Sequence, residues 1–249
     1  KTAAAVVDAS GRILARSRSL TDRLAGPEAA ISLALSLGRS LIAEAGPVAG
    51  LGLALPGITD SSRGILIESP SAGWRNVAFA ERLGEGLGLE ARADNDVKAS
   101  ALAELRFGSG LGPTGNRPDG QVLSASFLWL TVSTGIGGAL VLEGRIRDGQ
   151  RGMAGEVGHL VVQEGGAACG CGGRGCLEAE ASGTAIGRKA REALAGGARS
   201  PILEGLAPQS VDAAAVAGAA RQGDLLAQGI LRGAGEAIGR ALASVAVLL

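Results

Sequence analysis

Apolar and polar positions along this chain alternate between the periods of strands and helices. Residues 2–7 are small and apolar, Asp8, Ala9, Ser10 and Gly11 interrupt them, and residues 12–17 resume, which predicts two strands joined by a tight turn. Over 27–44, Ile31, Leu35, Leu41 and Ile42 recur near helical spacing until Gly46-Pro47, which predicts one helix. Residues 48–55 are a short apolar run ended by Pro56-Gly57, as expected of a buried strand that delivers a loop. That loop is expected to continue to about Trp74.

A helix is expected over 79–87 and a short strand over 90–93, followed by Asp94-Asn95-Asp96 and a helix-forming series over 97–107. Residues 108–120 are rich in Gly, Pro and Asn and read as an exposed loop before a strand over 122–132. Ser133-Thr134-Gly135-Ile136-Gly137-Gly138 then turns the chain into a second strand, 139–142, and the Glu143-Gly144 turn. Beyond Glu178 the chain is rich in Ala, Leu and Arg, with breaks at 196–201 and Pro208, and reads as several helices. Alternating strands and helices place the whole in the α/β class.

Composition narrows the function. The 249 residues suffice for one large domain or two smaller lobes. Lys plus Arg balance Asp plus Glu at 24 each, so no global field favours nucleic acid or an anionic membrane. Only 2% of residues are aromatic and Tyr is absent, which argues against base-stacking surfaces and requires an aliphatic core. The apolar runs 31–37 and 241–249 fall short of the roughly 18 residues of a membrane span. With no secretory succession at the start, the expected compartment is the cytoplasm. Three cysteines cannot pair evenly, and their clustering suggests a metal more than a disulfide framework.

The strongest chemical pattern is the one histidine, His159, followed by Cys169, Cys171 and Cys176. One imidazole and three thiols complete a tetrahedron for Zn2+ of the closed, structural type; free thiols or a disulfide are the alternatives. The carboxylates admit two readings. Asp94, Asn95 or Asp96 could cap a helix, and Glu156 and Glu178 could be solvated, or these groups could form a site around the zinc segment. The turn at Thr134, Gly135 and Gly137 could offer backbone N–H groups to a phosphate or merely join two strands, and it lacks the GKS or GKT of a Walker loop.

Taken in order, Pro56-Gly57, Asp94-Asn95-Asp96, Ser133 to Gly138, Gly155-Glu156-Val157-Gly158-His159 and Cys169-Gly170-Cys171-Gly172-Gly173-Arg174-Gly175-Cys176-Leu177-Glu178 resemble the ROK family of sugar kinases and sugar-responsive repressors. The resemblance implies an α/β fold of the actin-like ATPase (ribonuclease H-like) kind, with lobes at 1–95 and 96–249. It implies Asp96 as catalytic base and Gly57, Asn95, Glu156, His159 and Glu178 as substrate-binding residues. Thr134, Gly135 and Gly137 are implied for the nucleotide, and His159, Cys169, Cys171 and Cys176 for structural Zn2+. The expected reaction is transfer of the γ-phosphate of ATP, with Mg2+, to the 6-hydroxyl of glucose or a related hexose, by a homodimer or homotetramer. The alternative is a repressor whose helix-turn-helix lies outside this sequence. A third reading is a zinc-stapled sugar-binding module without catalysis.

Compared with the family pattern, the Asp-x-Gly-Gly-Thr phosphate loop expected before Lys1-Thr2 and the nucleotide segment expected after the last helix are not in the sequence. Ser71 stands where the family often has Asn, which implies an altered sugar contact.

Overall fold

The structure, a computed structural model, describes residues 1–108, 125–150 and 152–248. Part of the loop expected at 108–120 and the start of the strand expected at 122–132 lie outside the described residues. The chain divides into two compact units, one of Lys1–Phe127 and Leu140–Ala154, the other of Leu128–Ala139 and Gly155–Leu249.

In the first unit, β1 (Thr2–Val7) and β2 (Ile13–Ser19) form the expected antiparallel hairpin, with Thr2 opposite Ser19. Asp8 shapes its turn by accepting hydrogen bonds from the Ser10 N–H (2.9 Å), the Ser10 hydroxyl (2.6 Å) and the Arg12 N–H (3.0 Å). Helix α1 (Gly26–Ala45) follows, with Pro27 in its first turn where a missing N–H costs nothing. Strand β3 (Leu51–Leu55) pairs in parallel with β7 (Ala91–Asn95), Leu51 opposite Ala91 and Leu55 opposite Asn95. Parallel pairing brings the loops after both strands to one end of the sheet, where α/β proteins place their ligands.

Between β3 and β7 the structure corrects the expectation of a long loop. Residues 58–77 form a three-stranded antiparallel sheet of β4 (Ile58–Asp60), β5 (Ile65–Ser69) and β6 (Trp74–Val77). Helix α2 (Phe79–Leu87) lays Phe79, Ala80 and Leu83 onto Leu55, Leu66, Val77 and Ala93, and Leu66 at the centre is fully buried. Trp74 packs a tilted ring against Phe79, centroids 6.0 Å apart. Helix α3 (Asp96–Phe107) leaves directly from the end of β7.

Strands β8 (Phe127–Val132), β9 (Ile136–Leu142) and β10 (Arg145–Arg147) form a sheet in the order β10-β9-β8. The indole of Trp129 on β8 donates to the Thr131 hydroxyl at 3.2 Å. The α-helices of the second unit are α4 (Leu177–Ala181), α5 (Gly183–Ala195), α6 (Ala213–Arg221) and α7 (Leu225–Leu248). Its core joins Ile136, Leu177, Leu203, Val211 and Val216 to buried Ala181, Ala190, Ala219, Ala227, Ala234, Ala237 and Ala241. Small side chains let helix backbones approach closely, so dispersion over many short contacts replaces the large areas that rings would bury. Asp224 caps α7, accepting from the Ala227 N–H at 2.9 Å and from the buried Ser200 hydroxyl at 2.6 Å. No described helix is long and apolar enough to cross a membrane.

Candidate functional site

The first unit places Gly57, Asn95 and Asp96 at the shared end of β3 and β7. Asn95 caps α3: its Oδ1 accepts from the Val97 N–H (2.9 Å) and the Lys98 N–H (3.2 Å), satisfying two of the unpaired donors of the first turn. Its Nδ2 donates to the Gly57 carbonyl at 3.0 Å, so one amide holds both the helix start and the loop after β3. Gly57 has φ 141, and a Cβ there would collide with the Glu68 carbonyl, so only glycine fits.

Asp96 follows the cap and is exposed. Burial of its surroundings raises its carboxyl above the ordinary value, against the opposing hydrogen bond from the Val97 N–H. Nearby Asp94 is raised too, again chiefly by burial. Two residues on, the buried Lys98 ammonium donates to Asp148 Oδ1 at 2.6 Å and to the Gly152 carbonyl at 3.0 Å, fastening the segment after β10 to the start of α3.

In the second unit the glycine-rich turn is tied down from two sides. The Ile136 N–H donates to Glu178 Oε2 at 2.9 Å, and a Cβ on Gly135 would overlap the same oxygen. Glycine at 135 is therefore needed for the carboxylate to lie against the turn. From the other side the Gly183 N–H donates to the Ser133 carbonyl (2.8 Å) and the Thr184 hydroxyl to the Thr134 carbonyl (2.8 Å), which couples the turn to the start of α5. Thr134 is exposed at the turn, whereas Gly135 and Gly137 are half-buried.

Glu156 and His159 bracket a single 3-10 turn, Val157–His159, in which the His159 N–H donates to the Glu156 carbonyl at 3.1 Å. Both are half-buried. The ligand atoms of His159, Cys169, Cys171 and Cys176 all lie within 4.8 Å of one another. Sulfur at about 2.3 Å and imidazole nitrogen at about 2.0 to 2.1 Å from a tetrahedral centre would set S···S edges near 3.8 Å and S···N edges near 3.6 Å. Cys171 Sγ and Cys176 Sγ are 3.7 Å apart, and Cys169 Sγ and His159 Nδ1 are 3.6 Å apart. Donor type, donor count and these two edges suit Zn2+, with Nδ1 turned to the Cys169 sulfur and Nε2 remaining. Burial first, then its sulfur neighbours, push the Cys176 thiol up to about 12, while the exposed Cys171 thiol is lowered, first by the Gly173 N–H.

The expected residues thus form two groups: Gly57, Asn95 and Asp96 in the first unit, and Thr134, Gly135, Gly137, Glu156, His159, Glu178 and the three cysteines in the second. Sequence reasoning overlooked Ile136, Thr184 and Lys98. The bonds of Ile136 and Thr184 span 42 and 50 residues, and no local pattern marks them.

Similarity to known proteins fits this arrangement. The ROK family description matches residues 1–249. The glucokinase of Thermotoga maritima is 38% identical over 203 residues, 80% of this chain and 60% of that protein. The glucokinase of Streptomyces coelicolor is 31% identical over the whole of this chain and 75% of its own length. The chain thus spans about three fifths to three quarters of these relatives. A ROK family glucokinase from Streptomyces griseus, solved with glucose and AMPPNP, superposes with TM-score 0.82 at 31% identity, covering 99% of this chain and 76% of that one. A ROK family transcriptional regulator homologous to an E. coli protein superposes with TM-score 0.79 at 25% identity, covering 98% of this chain and 59% of that one. The α/β architecture is that of the actin-like ATPases, as expected. Matched from first residue to last, this chain belongs to the ROK family.

Proposed function

We propose that this chain is the sugar-binding and catalytic part of an ATP-dependent hexokinase of the glucokinase type, acting on the 6-hydroxyl of glucose or a related hexose. One observation carries the reading: Asp96 is accessible at the start of α3, at the same sheet end as Gly57, with its carboxyl raised by burial. A carboxylate raised above its ordinary value is the better proton acceptor. Glucokinase relatives at 38% and 31% identity support the same reading.

In this reaction Asp96 takes the hydroxyl proton as the sugar oxygen bonds to the γ-phosphorus. The bond from that phosphorus to the oxygen bridging the β-phosphate breaks, and ADP leaves with the electron pair. Asn95, Glu156, His159 through Nε2 and Glu178 through Oε1 would hold the sugar hydroxyls. A wrong epimer would leave one of these groups unpaired, which is the basis of discrimination. Thr134, Gly135 and Gly137 would face the nucleotide phosphates, whose charge a Mg2+ bound with them would neutralise. His159, Cys169, Cys171 and Cys176 would hold a structural Zn2+, which would supply a closed clamp on the segment running into Glu178. We extend the proposal to a cytoplasmic homodimer or homotetramer.

Similarity to a ROK family transcriptional regulator favours a second reading, a sugar-responsive repressor. A coupled assay for ADP on the full-length protein separates the two. ADP release dependent on glucose, mannose, fructose or an N-acetylated hexosamine is expected. Sugar binding without turnover of any of them would sink the kinase and leave the repressor.

A further inference from the structure

Glu180 is a carboxylate in an apolar place. It lies two residues beyond Glu178 on α4, beside fully buried Ala181 and Leu177, and its side chain is 4% exposed. A charge so placed persists only when its oxygens are paired. Oε2 accepts from the Lys189 ammonium of α5 at 2.7 Å, and Oε1 accepts from the Ala167 N–H at 2.7 Å. Burial works to raise this carboxyl, but Lys189 and the Ala167 N–H outweigh it and hold it below the ordinary value.

The second bond reaches the neck of the metal loop. Ala167 stands two residues before Cys169, and its carbonyl accepts from the Gly175 N–H at 2.8 Å, one residue before Cys176. One residue, Ala167, thus joins the two sides of the loop through its carbonyl and is held to α4 through its N–H. A Cβ on the preceding Gly166 would overlap Glu180 Oε1, so the backbone and the carboxylate are in close approach.

We infer that Glu180, charged and paired with Lys189, is a positioning residue for the metal: it fixes the neck so that the three sulfurs and His159 Nδ1 are held at coordinating distance. This rests on the zinc reading above. The carboxylate touches neither metal nor sugar and acts only through the Ala167 peptide. An ion pair suits the task because it anchors that N–H at one point, whereas apolar packing would hold the volume without specifying the bond.

The test is competition for Zn2+ between the full chain and a chromophoric chelator. Loss of an outer-shell partner typically weakens metal binding by about 10 to 100-fold, and Glu180→Ala is expected to fall in that range. Glu180→Gln keeps an acceptor for Ala167 and is expected to lose less, which also covers the case in which the alanine variant does not fold. The double variant Glu180→Leu, Lys189→Met separates positioning from packing. It should keep its melting temperature near wild type yet bind Zn2+ as weakly as Glu180→Ala, with a shifted thiolate-to-Co2+ charge-transfer band in the cobalt form. Wild-type affinity in the double variant and in Glu180→Gln overturns the inference while leaving the zinc site intact. A wild-type protein that takes up no Zn2+ overturns both.

Discussion

Glu178 Oε2 accepts the Ile136 N–H at 2.9 Å, so the carboxylate expected to meet a sugar also anchors the glycine-rich turn expected to meet phosphate. Two ligand contacts that look independent along the chain are mechanically one. Gly135→Ala tests this coupling, because its methyl would displace the carboxylate directly. Misplacing a positioning group by about an ångström costs on the order of 100-fold in rate, and a drop of that size in kcat/KM for glucose is expected. Thermal denaturation should show a melting temperature close to wild type.

Asn95 divides stability from binding. Asn95→Ala removes the cap of α3 and should cost about 0.5 to 2 kcal/mol, read as a lower midpoint in urea. Asn95→Asp retains the oxygen that accepts from the Val97 and Lys98 N–H groups but cannot donate to the Gly57 carbonyl. It should recover most of that stability while hexose KM rises.

Asp96→Asn should lower phosphorylation by about 100 to 10,000-fold, the range of a general base, with glucose affinity by calorimetry largely kept. In the wild type only the deprotonated carboxylate can take the hydroxyl proton. Because the folded carboxyl is raised from 3.8, the acid limb of kcat/KM should have its midpoint above that value, with activity kept at higher pH and lost below it. A profile flat through this region would remove Asp96 from the role.

Asp224 gives the opposite sign. The Ser200 hydroxyl, then the Ala227 N–H, hold its carboxyl below 3.8. Its stabilising effect is therefore full above the unfolded value and disappears as pH falls through the lower folded one. Asp224→Ala should cost about 1 to 3 kcal/mol at pH 7, since it strips a cap and leaves the buried Ser200 hydroxyl without its acceptor. Denaturation curves of variant and wild type should converge as the pH approaches the folded carboxyl's titration.

How much of this was legible along the chain depends on how local each interaction is. The metal cluster was, because zinc demands specific donor types and all four fall within one short segment. The α1, α2 and α3 helices were, because apolar spacing, Gly stops and the Asn95 cap are local signals. The sheet of β4, β5 and β6 was not. Its strands are only 3 to 5 residues long and are separated by Ser, Gly and Pro, so their pairing with one another, not their own pattern, makes them strands. Glu180 escaped notice for a related reason: a glutamate in a helix reads as a solvated face until its partners at Ala167 and Lys189 are seen.

The scarcity of rings has a practical corollary. With Tyr absent and only two Trp in the sequence, light absorbed near 280 nm is re-emitted almost entirely by indoles, and Trp74 and Trp129 fall one in each compact unit. Replacing either with phenylalanine therefore turns the other into a private optical reporter. Titrating glucose into one such protein and a non-hydrolysable nucleotide into the other would let each half of the molecule announce separately what it senses.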